Sequence, residues 1–470
     1  MVNLQNMKRV LVITYYWPPS GGSGVQRWVK FAKYLPLEGW QPVIYTPENP
    51  ELTAVDRTLE GEVPAEAEVI RRPIFEPYDI YRRLMGKGAG TDMKTLISEA
   101  RPSSGAVDVG EAAADGAEVT PISSGRKTWK QRLSLWIRGN VFVPDPRVGW
   151  VRPSVRFLKE YLRDHPVDVV VTTGPPHSMH LIGERLHRDL GIPWVADFRD
   201  PWTKMYYLKH LPLARRTWRR LEAQEQDVLD EASTVLAVTP LVQEDFQART
   251  RRPVAMITNG YDEEDFDQVV EPDGRFNLVH TGLFAADGNP ETLWKVLGDL
   301  AAADPAFREA LRLRLVGKVD REVQEALAAA GLAGNVVDLG YRNHQTAVRE
   351  QMAASVLLLP LRNDPEYRPI LPGKLFEYLA ARRPVLGIGQ PDGAMACVLA
   401  STGAGITADW TDEARIRLFL EQAWAAFQGR SVPEALPGIA PGLPPLDGDI
   451  AVYSRRNLTR RLADLLDSFQ

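Results

Sequence analysis

Lys374 and Glu377 stand three apart in the run Pro-Gly-Lys-Leu-Phe-Glu-Tyr-Leu-Ala that begins at Pro372. A Pro-Gly turn opens a helix, so the two side chains share one face of its first turn, where free backbone N–H groups attract an anion. An ammonium at that place suits phosphate and a carboxylate suits hydroxyls. An ordinary helix, with its glutamate offsetting the dipole and its lysine solvated, carries the same residues. The surrounding chain decides between the two.

The elements that must position this pair are legible as alternating strands and helices. A wholly apolar run at 10–14 reads as a buried parallel strand, followed by the loop Tyr-Tyr-Trp-Pro-Pro-Ser-Gly-Gly-Ser-Gly from Tyr15, a helix at 25–35 and a second strand at 41–46. This is the opening of a doubly wound sheet, whose ligands bind outside the carboxyl ends of the strands. Further strands are expected at 167–173, 194–197, 234–238 and 254–258. A second α/β series begins after Thr258-Asn-Gly-Tyr-Asp262, with strands at 277–280, 312–316, 336–339, 356–360 and 384–388. The architecture is therefore repeated, with boundaries at 1–257 and 258–448. A Pro- and Gly-rich run at 433–448 precedes a last amphipathic helix at about 450–468, and the segment 449–470 is expected to cross back to the N-terminal domain.

With 470 residues, 44% hydrophobic and 25% charged, the chain has the mass for two large α/β domains. Its net charge of −5 supplies no global basic field for nucleic acid. Cys397 is the only cysteine, which excludes an internal disulfide and fits a reducing cytoplasm; the seven histidines show no zinc-binding spacing. The first apolar strand is too short for a signal sequence or a membrane span. A mobile insertion is expected at about 86–126, where the stretch 102–125 is rich in Gly, Ala, Ser and acids and lacks aromatic residues.

Taken in order, five motifs resemble glycosyltransferase family 4 and its relatives of the GT-B fold, two Rossmann-like doubly wound domains facing a cleft. They are the Tyr-Tyr-Trp-Pro-Pro-Ser-Gly-Gly loop, Thr173-Gly-Pro-Pro-His177, Ala196-Asp-Phe-Arg-Asp-Pro-Trp202, Thr258-Asn-Gly-Tyr-Asp262 and Pro372-Gly-Lys-Leu-Phe-Glu-Tyr-Leu-Ala380. The resemblance implies a nucleotide diphosphate sugar in the C-terminal domain, a saccharide or lipid-linked acceptor in the N-terminal domain, no metal and no other cofactor. It implies transfer with retention, in cell-surface polysaccharide or glycoconjugate synthesis. Glu377 then matches the second Glu of the family's paired pattern and accepts from ribose hydroxyls; the first is absent, because position 369 is Pro. Backbone around 370–373, including Gly373, or Glu366 would hold the hexose instead. The base that relatives place after the first strand of the second domain is also missing from Thr281-Gly-Leu-Phe-Ala-Ala-Asp-Gly-Asn-Pro290, which leaves Lys374 first and Arg368 second to stabilise the departing diphosphate.

Gly21, Gly22 and Gly24 permit close approach of backbone to the phosphates, with the next helix offering its positive end; a tight turn without a ligand is the plainer alternative. His177 would point into the cleft to touch sugar or steer the acceptor, or serve the fold. Asp197, Arg199 and Asp200 would anchor the acceptor or form an ion-pair network of two acids about one arginine, the latter being favoured. In Tyr341-Arg-Asn-His344, base stacking competes with helix capping by Asn343. The basic and aromatic stretch 126–138 and the cluster Arg215, Arg216, Trp218, Arg219, Arg220 would suit a helix on the inner face of an anionic membrane, or an ordinary solvated surface. Two rivals remain: a nucleotide-sugar epimerase or hydrolase on the same scaffold, and a catalytically lapsed sugar-binding subunit.

Overall fold

The computed structural model describes residues 7–21, 23–51, 55–74, 136–137, 139–205, 208, 211–430 and 448–469. The expected insertion at 86–126, Gly22 and all but two residues of the basic stretch 126–138 lie outside them. Contacts divide the chain into two units. One runs to Thr258 and resumes at Thr459–Gln470, and the other spans Asn259–Leu458.

The first unit is built on β1 (Lys8–Ile13), β2 (Trp40–Pro47), β3 (Glu68–Arg72), β4 (Val169–Gly174), β5 (Trp194–Phe198), β6 (Thr234–Ala237) and β7 (Val254–Met256). They form one parallel sheet in the order β3-β2-β1-β4-β5-β6-β7, with Leu11 opposite Val43 and Val12 opposite Val171. The strands β1 and β4 read as apolar runs because both their faces are covered, and Val10, Leu11, Val12, Ile13, Val169, Val170 and Val171 are fully buried. Helices α1 (Ser23–Tyr34), α2 (Val151–Asp164), α3 (Ser178–Leu190), α4 (Arg215–Glu231) and α5 (Pro240–Arg249) connect the strands. Sequence reasoning did not anticipate β3: its Glu-Val-Ile-Arg-Arg is an edge strand with exposed arginines and carries no apolar run.

The second unit repeats the scheme with β8 (Phe276–Thr281), β9 (Leu311–Val316), β10 (Val336–Gly340), β11 (Val356–Pro360), β12 (Val385–Ile388) and β13 (Gly405–Ala408), in the order β10-β9-β8-β11-β12-β13, again parallel. Its helices are α6 (Glu291–Ala303), α7 (Pro305–Ala310), α8 (Arg321–Ala329), α9 (His344–Met352), α10 (Gly373–Ala380), α11 (Ala394–Thr402) and α12 (Glu413–Phe427). At the end of β9, Gly317 takes φ +129° and lies so close to the Gly282 carbonyl that a Cβ would collide with it. That pair of glycines lets the loops after β8 and β9 run side by side, Gly282 N–H donating to Val316 O at 2.7 Å and Phe284 N–H to Lys318 O at 2.9 Å.

The last helix, α13 (Arg455–Asp467), begins in the second unit and ends in the first. Within the first unit Lys8 Nζ and Trp40 Nε1 both reach Asp467, at 2.7 and 2.9 Å.

In each sheet the order reverses direction once, between β1 and β4 and between β8 and β11. The carboxyl ends of those four strands are where an open α/β sheet binds its ligand.

Candidate functional site

At the carboxyl end of β8, Thr281 is bound through all three of its polar atoms. Its N–H donates to Tyr378 Oη at 3.0 Å, its carbonyl accepts from Lys374 Nζ at 2.8 Å, and its Oγ1 accepts from Gln351 Nε2 at 3.1 Å. Gln351 Nε2 also donates to Glu377 Oε2 at 2.9 Å. The pair read from sequence is thus brought together through two intermediaries, in the chain Lys374, Thr281, Gln351, Glu377. Helix α10 presents it because Leu375, Phe376, Tyr378 and Leu379 are buried, which fixes the helix's rotation. Its N-cap is Pro372, and no side chain caps the N–H groups of Gly373 and the turn that follows.

Burial decides the electrostatics here. Lys374 is 7% exposed, whereas the Glu377 side chain keeps 21% of its surface open. On its other side Glu377 Oε1 lies 4.0 Å from His344 Nδ1, and His344 Nε2 lies 3.3 Å from Asp265 Oδ2. Behind Thr281, His280 is buried between the carbonyls of Leu358 and Leu283, at 3.0 and 3.2 Å. Burial first, and the neighbouring Lys374 ammonium second, push its pKa down to about 3. A neutral ring has one N–H, so one of those carbonyls receives it.

Arg368 is half-exposed and pairs with Asp392 at 2.9 Å, so its charge is already matched at the surface. Asn343 caps α9, its side chain accepting from Thr346 N–H at 2.9 Å, while Tyr341 is 81% exposed.

In the first unit the end of β4 turns through Gly174-Pro-Pro to His177, which immediately precedes α3. His177 is 4% exposed and stacks flat on Trp202, with ring centroids 4.8 Å apart and planes at 7°. It lines a cavity of about 30 Å³ with Pro144, Asp145, Pro175, Pro176 and Trp202. Neither ring nitrogen meets a hydrogen-bond partner among the described residues. Burial, then His180 and Arg199, hold its pKa well below the usual value, so it works as a neutral imidazole. The sequence suggested a side chain open to a cleft; the ring is instead enclosed in its own unit.

Asp197 corrects the sequence reading. It is fully buried and accepts from Arg27 Nε and Nη2 at 3.2 and 2.9 Å, from Trp28 Nε1 at 2.8 Å and from Thr173 Oγ1 at 2.9 Å. Burial raises a carboxyl's pKa, yet Arg27 and these hydrogen bonds outweigh it and hold Asp197 below the usual range. Nothing of it is left to bind an acceptor. The base paired with Asp197 is Arg27, at 2.9 Å. Arg27 also donates to the carbonyls of Ile257 and Thr258, at 2.9 and 2.8 Å. Arg199 is buried as well: its backbone N–H bonds Gly174 O at 3.0 Å and its guanidinium bonds Pro175 O, which secures the turn before His177. Asp200 is half-buried beside it.

Gly21 and Gly24 are buried at the start of α1, whose first turn carries no acidic residue. Sequence reasoning missed Arg27, Gln351 and Tyr378. Arg27 carries no distinguishing mark, since Gln26 precedes it and Lys30 and Lys33 follow it on the same helix, and Gln351 carries none either. Among the described residues no cluster of three or more His, Cys, Asp or Glu side chains is arranged to hold a metal ion, and no helix is long and apolar enough to cross a membrane.

Residues 109–265 match the family model described as Glycosyltransferase Family 4. No curated protein matches the chain by sequence. Solved structures match over nearly the whole length. Sucrose-phosphate synthase from Thermosynechococcus elongatus is 13% identical, with 98% of each chain covered and a TM-score of 0.59. WaaG, described as a glycosyltransferase involved in lipopolysaccharide biosynthesis, is 15% identical over 97% of this chain and 99% of its own, at 0.52. A trehalose-6-phosphate protein from E. coli bound with UDP-2-fluoro glucose is 12% identical over 98% and 99%, at 0.53. At these identities the likeness shows the fold, which is GT-B.

Proposed function

We propose that this chain, a glycosyltransferase family 4-like enzyme of GT-B fold, moves a sugar from a nucleotide diphosphate sugar to a hydroxyl of a saccharide or lipid-linked saccharide, with retention, in cell-surface polysaccharide or glycoconjugate synthesis. The observation that carries the proposal is the joining of Lys374, Thr281, Gln351 and Glu377 at the switch point of the second sheet. When the glycosidic bond breaks, negative charge grows on the departing diphosphate. A lysine ammonium fixed in place by the Thr281 carbonyl, beside a helix start that no side chain caps, is already oriented to meet it. Such preorganised charge is worth about 3–4 kcal/mol of barrier per group in other enzymes. Glu377, partly open and backed by Gln351, accepts from the ribose. Leaving-group stabilisation through Lys374 needs no metal in this scheme, and Arg368 is a secondary donor contact.

His177 is proposed to contact a sugar hydroxyl as a neutral imidazole, which requires the Trp202 ring stacked on it and the lining of its water-sized cavity to move aside. Its low pKa makes it a weak base, so its contribution is orientation rather than proton removal.

A peripheral contact with the inner membrane face is part of the same proposal. Arg215, Arg216, Arg219 and Arg220 are exposed at the start of α4. Exposed Trp136 and Val141 flank Asn140, whose Oδ1 accepts from Ala214 N–H at 2.7 Å at that same helix start. Cations and apolar side chains together suit an anionic lipid surface. Equal sedimentation with neutral and anionic vesicles would remove this contact from the proposal.

The test of the transfer itself is product analysis with a panel of nucleotide sugars, with and without saccharide and polyprenyl-linked acceptors. Acceptor-dependent glycoside formation supports transfer. Free epimerised sugar or hydrolysis as the only product replaces it with the epimerase or hydrolase reading.

A further inference from the structure

Gln351 has no place in the sequence reading, yet it is wholly buried and tied to both ends of the candidate donor site. We infer that Gln351 is a positioning residue that fixes the Glu377 carboxylate for a ribose diol and thereby makes the site prefer ribonucleoside over 2′-deoxyribonucleoside diphosphates. The inference rests on the donor-site reading above.

The side-chain amide has two N–H bonds, and two acceptors meet them: Thr281 Oγ1 at 3.1 Å and Glu377 Oε2 at 2.9 Å. Charge fixes which way the amide points. Turned over, Gln351 would set its carbonyl oxygen against the Glu377 carboxylate in a buried place, where nothing repays that repulsion. As it stands, Oε1 is buried and meets no hydrogen-bond partner among the described residues. An orphaned acceptor is a cost that the orientation of Nε2 toward Glu377 must outweigh.

Helix α9 supplies both flanks of the carboxylate. His344 in its first turn lies 4.0 Å from Oε1, and Gln351, seven residues later and so two turns along the same face, holds Oε2. A carboxylate hydrogen-bonded at Oε2 by Gln351, with the His344 ring beside Oε1, is restricted in its rotation, and its open edge then presents two oxygens in a set plane. Two vicinal hydroxyls match such an edge; a single hydroxyl uses half of it. Thr281 is joined to Gln351 by the same amide, so the ribose end and the Lys374 end of the site are set in register.

A hydrogen bond to a charged group contributes about tenfold to a hundredfold in affinity. The wild-type protein is therefore expected to bind the best of UDP, GDP and ADP at least about tenfold more tightly than its 2′-deoxy counterpart. The experiment is isothermal titration of these three and their 2′-deoxy forms against wild type, Gln351→Met, Glu377→Gln and the double variant. Gln351→Met keeps the volume and loses the donor. It is expected to reduce the ribo-to-deoxy ratio to about twofold to threefold, as Glu377→Gln does, with no further loss in the double variant. An unchanged ratio in Gln351→Met, with only a lowered melting temperature, overturns the inference and leaves a packing role. Nucleotide binding by wild type without a ribose preference overturns it too, while the donor site stands; no binding at all removes the donor site and the inference together. Should Gln351→Met fail to fold, Gln351→Asn keeps the amide but falls short of Glu377 by one methylene, and the same fall in ratio is expected. A wild-type ratio in Gln351→Asn overturns the inference.

Discussion

Replacing Asp197 by Asn separates a residue that holds the fold from one that binds an acceptor. The aspartate takes hydrogen bonds from Arg27 twice, from Trp28 and from Thr173, all in a place without solvent. Asparagine keeps one oxygen to accept and turns an NH₂ toward groups that are themselves donors. It also takes the Asp197 counter-charge away from the Arg27 guanidinium, which stays buried against the carbonyls of Ile257 and Thr258. Removing one member of a buried pair costs about 3–5 kcal/mol. For a unit of this size each kcal/mol moves the melting temperature by about 2–4 °C, so a fall of roughly 6–20 °C is expected. Scanning calorimetry resolves it in the transition that belongs to the first unit. The pH dependence gives a second handle. Because the folded pKa of Asp197 lies below its unfolded value, its stabilisation is full above about pH 4 and is lost as the pH falls through the folded value. The gap between wild type and variant should therefore close in acid. A melting temperature within 2 °C or so of wild type, with a raised KM for the acceptor alone, would refute the assignment and return Asp197 to acceptor binding.

Further expectations follow from the site and its supports. Lys374→Ala is expected to lower kcat about a hundredfold to a thousandfold at saturating donor, a loss of transition-state charge stabilisation that steady-state kinetics would show; a change confined to KM would point to ground-state binding only. His177, His180 and His280 are held neutral in the folded protein, so their protonation favours the unfolded state: stability should fall as the pH drops below about 6.5, and the fall should continue to about 3 for His180 and His280. Imidazole NMR signals that stay flat between pH 6 and 8 support this, and a His177 signal titrating near 6.5 contradicts it. Asn343→Ala removes the cap of α9 and should cost the second unit about 1 kcal/mol by denaturant melting. An unaltered midpoint would mean that Asn343 does not support the helix that carries Gln351.

The doubly wound pattern was legible because parallel strands covered on both faces must be apolar throughout: 10–14, 356–360 and their like announce themselves. Where that demand lapses, so does the signal. The edge strand β3 is half polar, and β13, Gly-Ile-Thr-Ala, is too short to stand out beside the preceding Thr-Gly. The Lys374 and Glu377 pair was visible from local spacing, since both lie on one helical turn. Their intermediaries were not: Thr281, Gln351 and Tyr378 reach the site from three elements, and only the strand order β9-β8-β11 brings them together. The same limit misassigned Asp197. Two acids flanking Arg199 in the sequence suggest a local network, but β5 aims Asp197 across to α1, and its partner lies 170 residues away in the chain.

The most direct measurement is a thermal-shift panel of UDP, GDP, ADP, TDP and CDP, with and without their common sugars, on wild type and on Glu377→Ala. A ligand that binds the native state raises its melting temperature in proportion to the logarithm of its concentration over Kd, about 2.7 kcal/mol at a hundredfold excess. The expected result is a shift for one nucleotide in wild type and none in Glu377→Ala. A flat panel for wild type, or an equal shift in both proteins, contradicts a nucleotide-sugar site built on Glu377.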